Sequence, residues 1–399
     1  MQAAIPAIKV GLLLNATPFD GGAFQYSRSI LEAMASLPEE KFDTLAAYTN
    51  QAWTDPIAGQ KIPSLALHPG IWGFLARKRI STILPISWWR QMSFYFHPLI
   101  RTMNNHARHL WIFPAQDTWT YLCPFPALSS VYDLMHRYEN RFPEVRSWGI
   151  YNNREKHYKQ VCRWAKGILV DSRIGKQQLM ESYGILPDRI HVLPYVSSRP
   201  EAQDVPDTIT SFDLPEKFLF YPAQFWEHKN HQGLVLAVHT LREQIPDVRL
   251  VFAGVGKNGY KKLQKLIHKL DLVNFIYFLG YVPDKAMPAL YKRARGLIMP
   301  TFFGPTNIPP LEAMAEGCPV AISDIYGMRE QLGEAALYFN PSSTLDIALA
   351  IRTIWTDDGL CHKLSQRGFQ HHRQWNQNHF NDRLRIILET ITHEDNSNP

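Results

Sequence analysis

Residues Pro300–Val320 read PTFFGPTNIPPLEAMAEGCPV, and the reading of this stretch decides the fold. An apolar strand, GLIM (296–299), runs into it. Gly304, Pro305, Thr306 and Asn307 then form a turn cluster that neither a helix nor a strand interior tolerates. Pro309 and Pro310 suit the first turn of a helix, LEAMAEG, which stops at Gly317 shortly before a further proline. Such a strand–turn–helix passage offers free backbone N–H groups and a positive dipole end to a phosphate. Glu312, in the first turns, presents a carboxylate to ribose hydroxyls. The same turn also serves as plain scaffold, and both readings stay open at this point.

Outward from this stretch the pattern repeats. KFLFYPAQ reads as a strand, FWEHKNHQG as a loop and LVLAVHTLREQI as a helix. VRLVFAGVG, FIYFLGYV, GLIMPT and CPVAISD are further strands, with helices between them. Regular alternation of strand and helix calls for a parallel sheet covered on both faces. Loops at the carboxyl ends of such strands gather on one edge, which is where ligands bind. Here they carry Lys229 and Asn230, the Gly254/Gly256 turn, Gly280-Tyr281-Val282, and the 304–312 turn.

The first half shows the same arrangement. Strand Ile8–Leu14 ends in NATPFDGG, with Gly21 and Gly22 before the helix FQYSRSILEAMASL. The two glycines permit close approach to a ligand or simply shape a turn. Asp133 and His136 fall where strand ALSSVYDLMH gives way to a loop, a position that suits a ligand crevice and equally suits a surface histidine. A helix is expected over 146–166, a strand over RIHVLPY up to about Val196, and one long tail helix over 366–393. Ser197–Lys217, rich in Pro, Ser and Asp, is the linker. The expected organisation is therefore α/β, with two Rossmann-like doubly wound domains at 1–197 and 217–365. A linker at 198–216 joins them, and the tail, 366–399, crosses back towards the first domain.

At 399 residues, two domains are the natural division. Through Pro200 the chain has 22 basic and 14 acidic residues, whereas the remainder has 20 and 22. That asymmetry points the first half at something anionic. Residues 56–116 contain no Asp or Glu, yet Arg77, Lys78, Arg79 and Arg90 stand among Trp72, Trp88 and Trp89. Aromatics beside cations describe a surface that settles among anionic lipid headgroups. The alternative is a core of aromatics ringed by cations. Single-stranded nucleic acid ranks lower, because no nucleic-acid-binding module accompanies the pattern. Four scattered cysteines without a CxxC pair argue for a reducing compartment and against a structural zinc site. No apolar run reaches a membrane span, so a cytoplasmic protein, free or peripheral at the membrane, is expected.

The ordered set YPAQFWEHKN, VFAGVG, FLGYVPDKAMPALYKRA, PTFFGPTNIPPLEAMAEGCPVAIS and the late Trp375 resembles the retaining nucleotide-sugar glycosyltransferases of family 4, also called group 1. The resemblance implies the GT-B fold of two facing Rossmann-like domains. It also implies transfer of a hexosyl group from a nucleoside diphosphate sugar to a glycan or polyprenyl-diphosphate-linked glycan, in bacterial surface polysaccharide synthesis. By the same resemblance Lys229 neutralises the donor diphosphate and Glu312 holds the ribose. Gly280, Tyr281 and Val282 meet the base. Thr306, Asn307 and Ile308 meet phosphate or sugar, with Asn230 beside Lys229. Gly21 and Gly22 approach the diphosphate from the first domain, and His136 with Asp133 stands in for the family's His-Asp pair near the acceptor.

Two departures accompany the match: Gln224 occupies the place of the family arginine, and Gly304 that of the first of two glutamates. No Asp-x-Asp carboxylate pair sits at a strand end, so neither an obligatory metal nor another cofactor is expected. The departures keep one competitor in view, a non-catalytic sugar-nucleotide-binding protein; a sugar-nucleotide epimerase of the same architecture is the other.

Overall fold

The computed structural model describes residues 7–68, 85–147, 149–197 and 212–393, which fall into two compact units. The first unit runs to Tyr132, resumes at Asn152, and includes the described chain from Gln377 onward. The second holds Asp133–Tyr151 together with the described chain up to Asn376. Asp133–Tyr151, which sequence places in the first domain, thus groups with the second.

In the first unit, strands β1 (Ile8–Leu14), β2 (Phe42–Tyr48), β3 (Ser64–Ala66), β4 (Leu110–Phe113), β5 (Ala127–Ser130), β6 (Gly167–Val170) and β7 (Ile190–Val192) form one sheet. Its order is β3-β2-β1-β4-β5-β6-β7, and its pairings are parallel. The central strands are unbroken apolar runs such as LWIF and GILV, buried on both faces, as a sheet covered by helices on each side requires.

The second unit contains β8 (Leu219–Pro222), β9 (Leu250–Ala253), β10 (Ile276–Phe278), β11 (Gly296–Met299), β12 (Val320–Ser323) and β13 (Ala336–Phe339). These pair in parallel in the order β10-β9-β8-β11-β12-β13. Phe218, Phe220, Tyr221, Phe252 and Tyr291 are fully buried in its core. Each such ring removed from water stabilises the fold by roughly 2–3 kcal/mol. Gly254 leaves β9 at φ +150, where an added Cβ would lie 2.3 Å from the Ala223 carbonyl oxygen. The close approach of these two loops therefore demands glycine.

Three expectations need correction. The tail is two helices, Asp358–Gln374 and Gln377–His393, interrupted at an extended Trp375. The Asn376 amide there donates to the Arg373 carbonyl, a side-chain bond that competes with continuation of the helix. The helix expected over 146–166 spans Ile150–Trp164, preceded by a separate turn at Pro143–Arg146. The strand near His191 ends at Val192.

Candidate active site

Strand order in the second sheet reverses between β8 and β11, which are neighbours. The chain leaving β8 and the chain leaving β11 therefore emerge side by side at the carboxyl edge, where an open α/β sheet forms its ligand crevice. The first passes through a single 3₁₀ turn, Glu227–Lys229. The second passes through 300–308 into the helix Pro309–Ala315. The Phe302 N–H donates to the His228 carbonyl at 2.9 Å. The rings of His228 and Phe303 stack at 3.9 Å with planes 12° apart. Lys229 Nζ lies 3.4 Å from Asn307 Oδ1. The lysine and the turn before Glu312 thus form one continuous site.

Lys229 is fixed through its backbone, since the Tyr221 hydroxyl donates to its carbonyl at 2.9 Å. Its side chain keeps some contact with solvent, but the surrounding protein desolvates the ammonium and lowers its pKa to about 8, against the opposing charge of Asp133. Asn230, expected beside the donor, is instead a structural cap in left-handed backbone. Its Oδ1 accepts the Gly233 N–H and its Nδ2 donates to the Pro341 carbonyl.

The 304–312 turn is more occupied by its own protein than sequence suggests. The Asn307 N–H, expected to face phosphate, donates to Gln331 Oε1 at 3.0 Å, and Gln331 Nε2 donates back to the Asn307 carbonyl at 2.8 Å. Pro309 and Pro310 contribute no N–H at all. Thr306, Asn307 and Ile308 are buried. Glu312 is 3% exposed, and Oε2 accepts a 2.8 Å hydrogen bond from the buried Tyr291 hydroxyl. Gly304 has φ +92, and a Cβ there would lie 2.7 Å from the Thr306 carbonyl oxygen. The family's glutamate has no strain-free place at that position. Gln224 Oε1 accepts from the Trp226 indole N–H at 2.9 Å.

Gly280 and Tyr281 are exposed and Val282 is buried. The Gly280 carbonyl accepts the Gly254 N–H, tying this loop to the one beside β8. Asp133 Oδ1 accepts the Met135 N–H, and His136 is completely buried against Tyr151. That burial is at odds with direct contact between His136 and an acceptor. In the first unit, Gly21 has φ +57, with open space where a Cβ would stand, and Gly22 opens the helix Gly22–Ala35.

The surface expected from the basic, aromatic region is corrected in part. On the helix Ile86–Phe96, Trp88, Met92 and Tyr95 are exposed along one face. Trp89, on the other face, is 2% exposed and donates to the Leu122 carbonyl. Arg90 donates to the Tyr121 and Cys123 carbonyls and covers the Trp164 ring, so it braces the fold. Arg77, Lys78 and Arg79 lie outside the described residues. Among the described residues no helix is long and apolar enough to cross a membrane, and no cluster of His, Cys, Asp and Glu has the makings of a metal site.

Sequence reading missed Glu144, Tyr291 and Gln331, which hold the site's groups from elements distant in the chain. Glu144 Oε1 accepts the Glu227 N–H at 2.6 Å across 83 residues, a separation at which no local pattern gives a signal. A cavity of about 270 Å³ opens beside the Glu227–Lys229 turn, with Phe142, Trp226, Gln232 and Lys262 among its walls.

Residues 207–371 match the family described as glycosyl transferases group 1. The chain is 26% identical over 261 residues to O-antigen chain mannosyltransferase B of Escherichia coli, covering 61% of this chain and 68% of that protein. It is 28% identical over 197 residues to O-antigen chain mannosyltransferase RfbU of Salmonella typhimurium, covering 49% of this chain and 53% of that one. The second match thus spans only about half the relative's length. Among solved structures, HepE of Anabaena, crystallised with UDP and glucose, superposes with a TM-score of 0.73 at 16% identity, over 96% of this chain and all of that one. WaaG, a glycosyltransferase involved in lipopolysaccharide biosynthesis, gives 0.65 at 13% identity, over 96% and 99%. These likenesses establish the fold, two Rossmann-like domains of the GT-B type.

Proposed function

The chain carries a group 1 glycosyltransferase domain at residues 207–371, and from that premise we propose that it transfers a hexosyl group from a nucleoside diphosphate sugar to a glycan acceptor with retention of configuration. The observation that carries this reading is the partly buried Lys229 ammonium at the β8/β11 switch point, 3.4 Å from Asn307 and continuous with the turn before Glu312. A desolvated cation at a sheet's carboxyl edge is suited to the charge that develops on a departing diphosphate. The acceptor hydroxyl attacks C1 from the face the diphosphate leaves. The C1–O bond to phosphate breaks, the C1–O bond to the acceptor forms, and a phosphate oxygen takes the hydroxyl proton. Holding both partners in that geometry supplies much of the acceleration. No protein nucleophile or resident metal enters this reading. Glu312, braced by Tyr291, accepts hydrogen bonds from the donor ribose, and the 280–282 loop borders the base.

The O-antigen mannosyltransferases among the relatives, and the UDP-glucose complex of HepE, make mannosyl and glucosyl donors the first to test. A surface polysaccharide acceptor, free or carried on a polyprenyl diphosphate, fits those relatives. The exposed face of Trp88, Met92 and Tyr95, in a region without acidic residues, suits an anionic membrane surface at which such an acceptor is held. Changing all three to serine is expected to release the protein from anionic vesicles in a sedimentation assay; unchanged sedimentation removes this surface. Proton NMR of the product's anomeric centre tests the reaction: a retained configuration is expected, and inversion contradicts the same-face mechanism. A second reading, sugar-nucleotide binding without transfer, draws on Gln224 and Gly304. It is favoured by donor binding in calorimetry with no turnover on any acceptor.

A further inference from the structure

We infer that Glu144 is a positioning residue for Lys229, its carboxylate fixing the Glu227–Lys229 turn and thereby where the ammonium stands. This rests on the reading of Lys229 as the diphosphate contact.

The turn has little to hold it from within. Its own backbone bonds are Lys229 N–H to the Trp226 carbonyl at 3.1 Å and Asn230 N–H to the Glu227 carbonyl at 3.0 Å. It is entered through extended Trp226, without a side-chain cap from its own sequence. The amides at its start are met from elsewhere. Glu144 Oε1 accepts from Glu227 N–H at 2.6 Å and from His228 N–H at 3.4 Å, and Asn258 Oδ1 shares the Glu227 N–H at 3.2 Å. The same carboxylate oxygen lies 3.4 Å from His228 Nδ1, whose ring is clamped against Phe303. One oxygen, on a side chain only 8% exposed, thus addresses two amides and the ring beside Lys229.

Burial works against the charged carboxylate, but these hydrogen bonds outweigh it and hold the Glu144 pKa at about 2, while burial lowers that of His228 to about 4. At neutral pH the pair is an anion against a neutral imidazole, and charge-assisted bonds to amides are among the strong ones. The lysine follows directly in the chain, and its ammonium makes a long 3.4 Å contact to Asn307 in the field of the Asp133 carboxylate. Its position therefore depends on the backbone, whose amides Glu144 holds at the start of the turn while Phe302 and Tyr221 meet the His228 and Lys229 carbonyls.

Isothermal titration of inorganic pyrophosphate into the full chain tests this with Glu144→Gln, Glu144→Asp, Glu144→Ala and Lys229→Met. Gln keeps an acceptor oxygen for both amides and is expected to bind within about threefold of the parent. Ala is expected to bind about tenfold more weakly, the order of one lost charge-assisted hydrogen bond. Asp, too short to reach, is expected several-fold weaker and serves if Ala does not fold. Lys229→Met is expected to lose about a hundredfold. A merely structural defect lowers the number of competent sites and leaves Kd unchanged, so stoichiometry and affinity separate the two roles. Ala and Asp binding within twofold of the parent, with Lys229→Met deficient, overturns the inference and leaves the lysine's role standing. Tighter binding by Gln and Ala alike also overturns it, marking simple charge repulsion. Parent-like binding by Lys229→Met, or none by the parent, overturns both.

Discussion

Replacing Lys229 by methionine separates what the ammonium does for a substrate from what it costs the fold. Desolvation lowers its pKa from 10.5 to about 8. At 1.36 kcal/mol per tenfold change in proton affinity, that drop sets about 3 kcal/mol against the folded state at neutral pH. The solvent contact its side chain keeps brings the figure nearer to about 2 kcal/mol. Losing the long Asn307 contact offsets at most about 1 kcal/mol. The ligand-free variant is therefore expected to be more stable by about 1–2 kcal/mol, or about 2–8 °C in the melting of a unit this size. The sign follows from linkage. The unfolded lysine binds its proton more tightly than the folded one, so the cost is full below pH 8, fades between 8 and 10.5, and is absent above. Transfer should fall about 10²–10³-fold, as when one preorganised donor to a developing charge is removed. Melting curves at pH 7 and pH 10.5, with initial rates of sugar transfer, read both effects. A lower melting temperature at pH 7, or a gain that persists at pH 10.5, refutes the desolvation argument; a parent-like rate refutes the catalytic one.

Three further expectations follow from the same site. Gly304→Glu restores the residue type that the family carries but forces a side chain onto φ +92 against the Thr306 carbonyl; it should cost about 2 kcal/mol or more in urea unfolding and gain no activity, and an unchanged midpoint counts against that strain. Tyr291→Phe removes the 2.8 Å donor to the buried Glu312 carboxylate, so the donor KM should rise about tenfold with kcat changed less; a fall in kcat with KM unchanged means that the pair acts in the transition state instead. His228, whose pKa is lowered to about 4, binds fewer protons folded than unfolded between pH 4 and 6.5, so stability rises with pH there. His228→Asn should flatten that rise by about 1 kcal/mol per pH unit in denaturant titrations. An identical slope contradicts the burial of a neutral imidazole.

The sequence made the sheets legible because parallel strands buried on both faces are short apolar runs; GLIM became β11 residue for residue. The meeting of Lys229 with the 304–307 turn was legible for the same reason, since strand-end loops gather on one edge. Less legible was which groups the protein uses on itself. Asn230 reads like a ligand contact but caps a helix, and the Asn307 amide reads like a phosphate donor but belongs to Gln331. Both partners lie outside the motif. Trp88 and Trp89 are adjacent in the chain, yet one faces solvent and the other the core, so composition alone did not divide the exposed ring from the buried one. Glu144 carried no signal, because its role arises from packing of Asp133–Tyr151 within the second unit.

The central claim is that Lys229 grips the diphosphate of a sugar donor at the β8/β11 crevice. The most direct measurement is nucleoside diphosphate release from a panel of uridine, guanosine and thymidine diphosphate sugars, followed by phosphorus NMR, with parent and Lys229→Met protein side by side. Release from one donor by the parent, lost in the variant, is the expected result. No release from any donor by the parent, or equal release by both proteins, contradicts it.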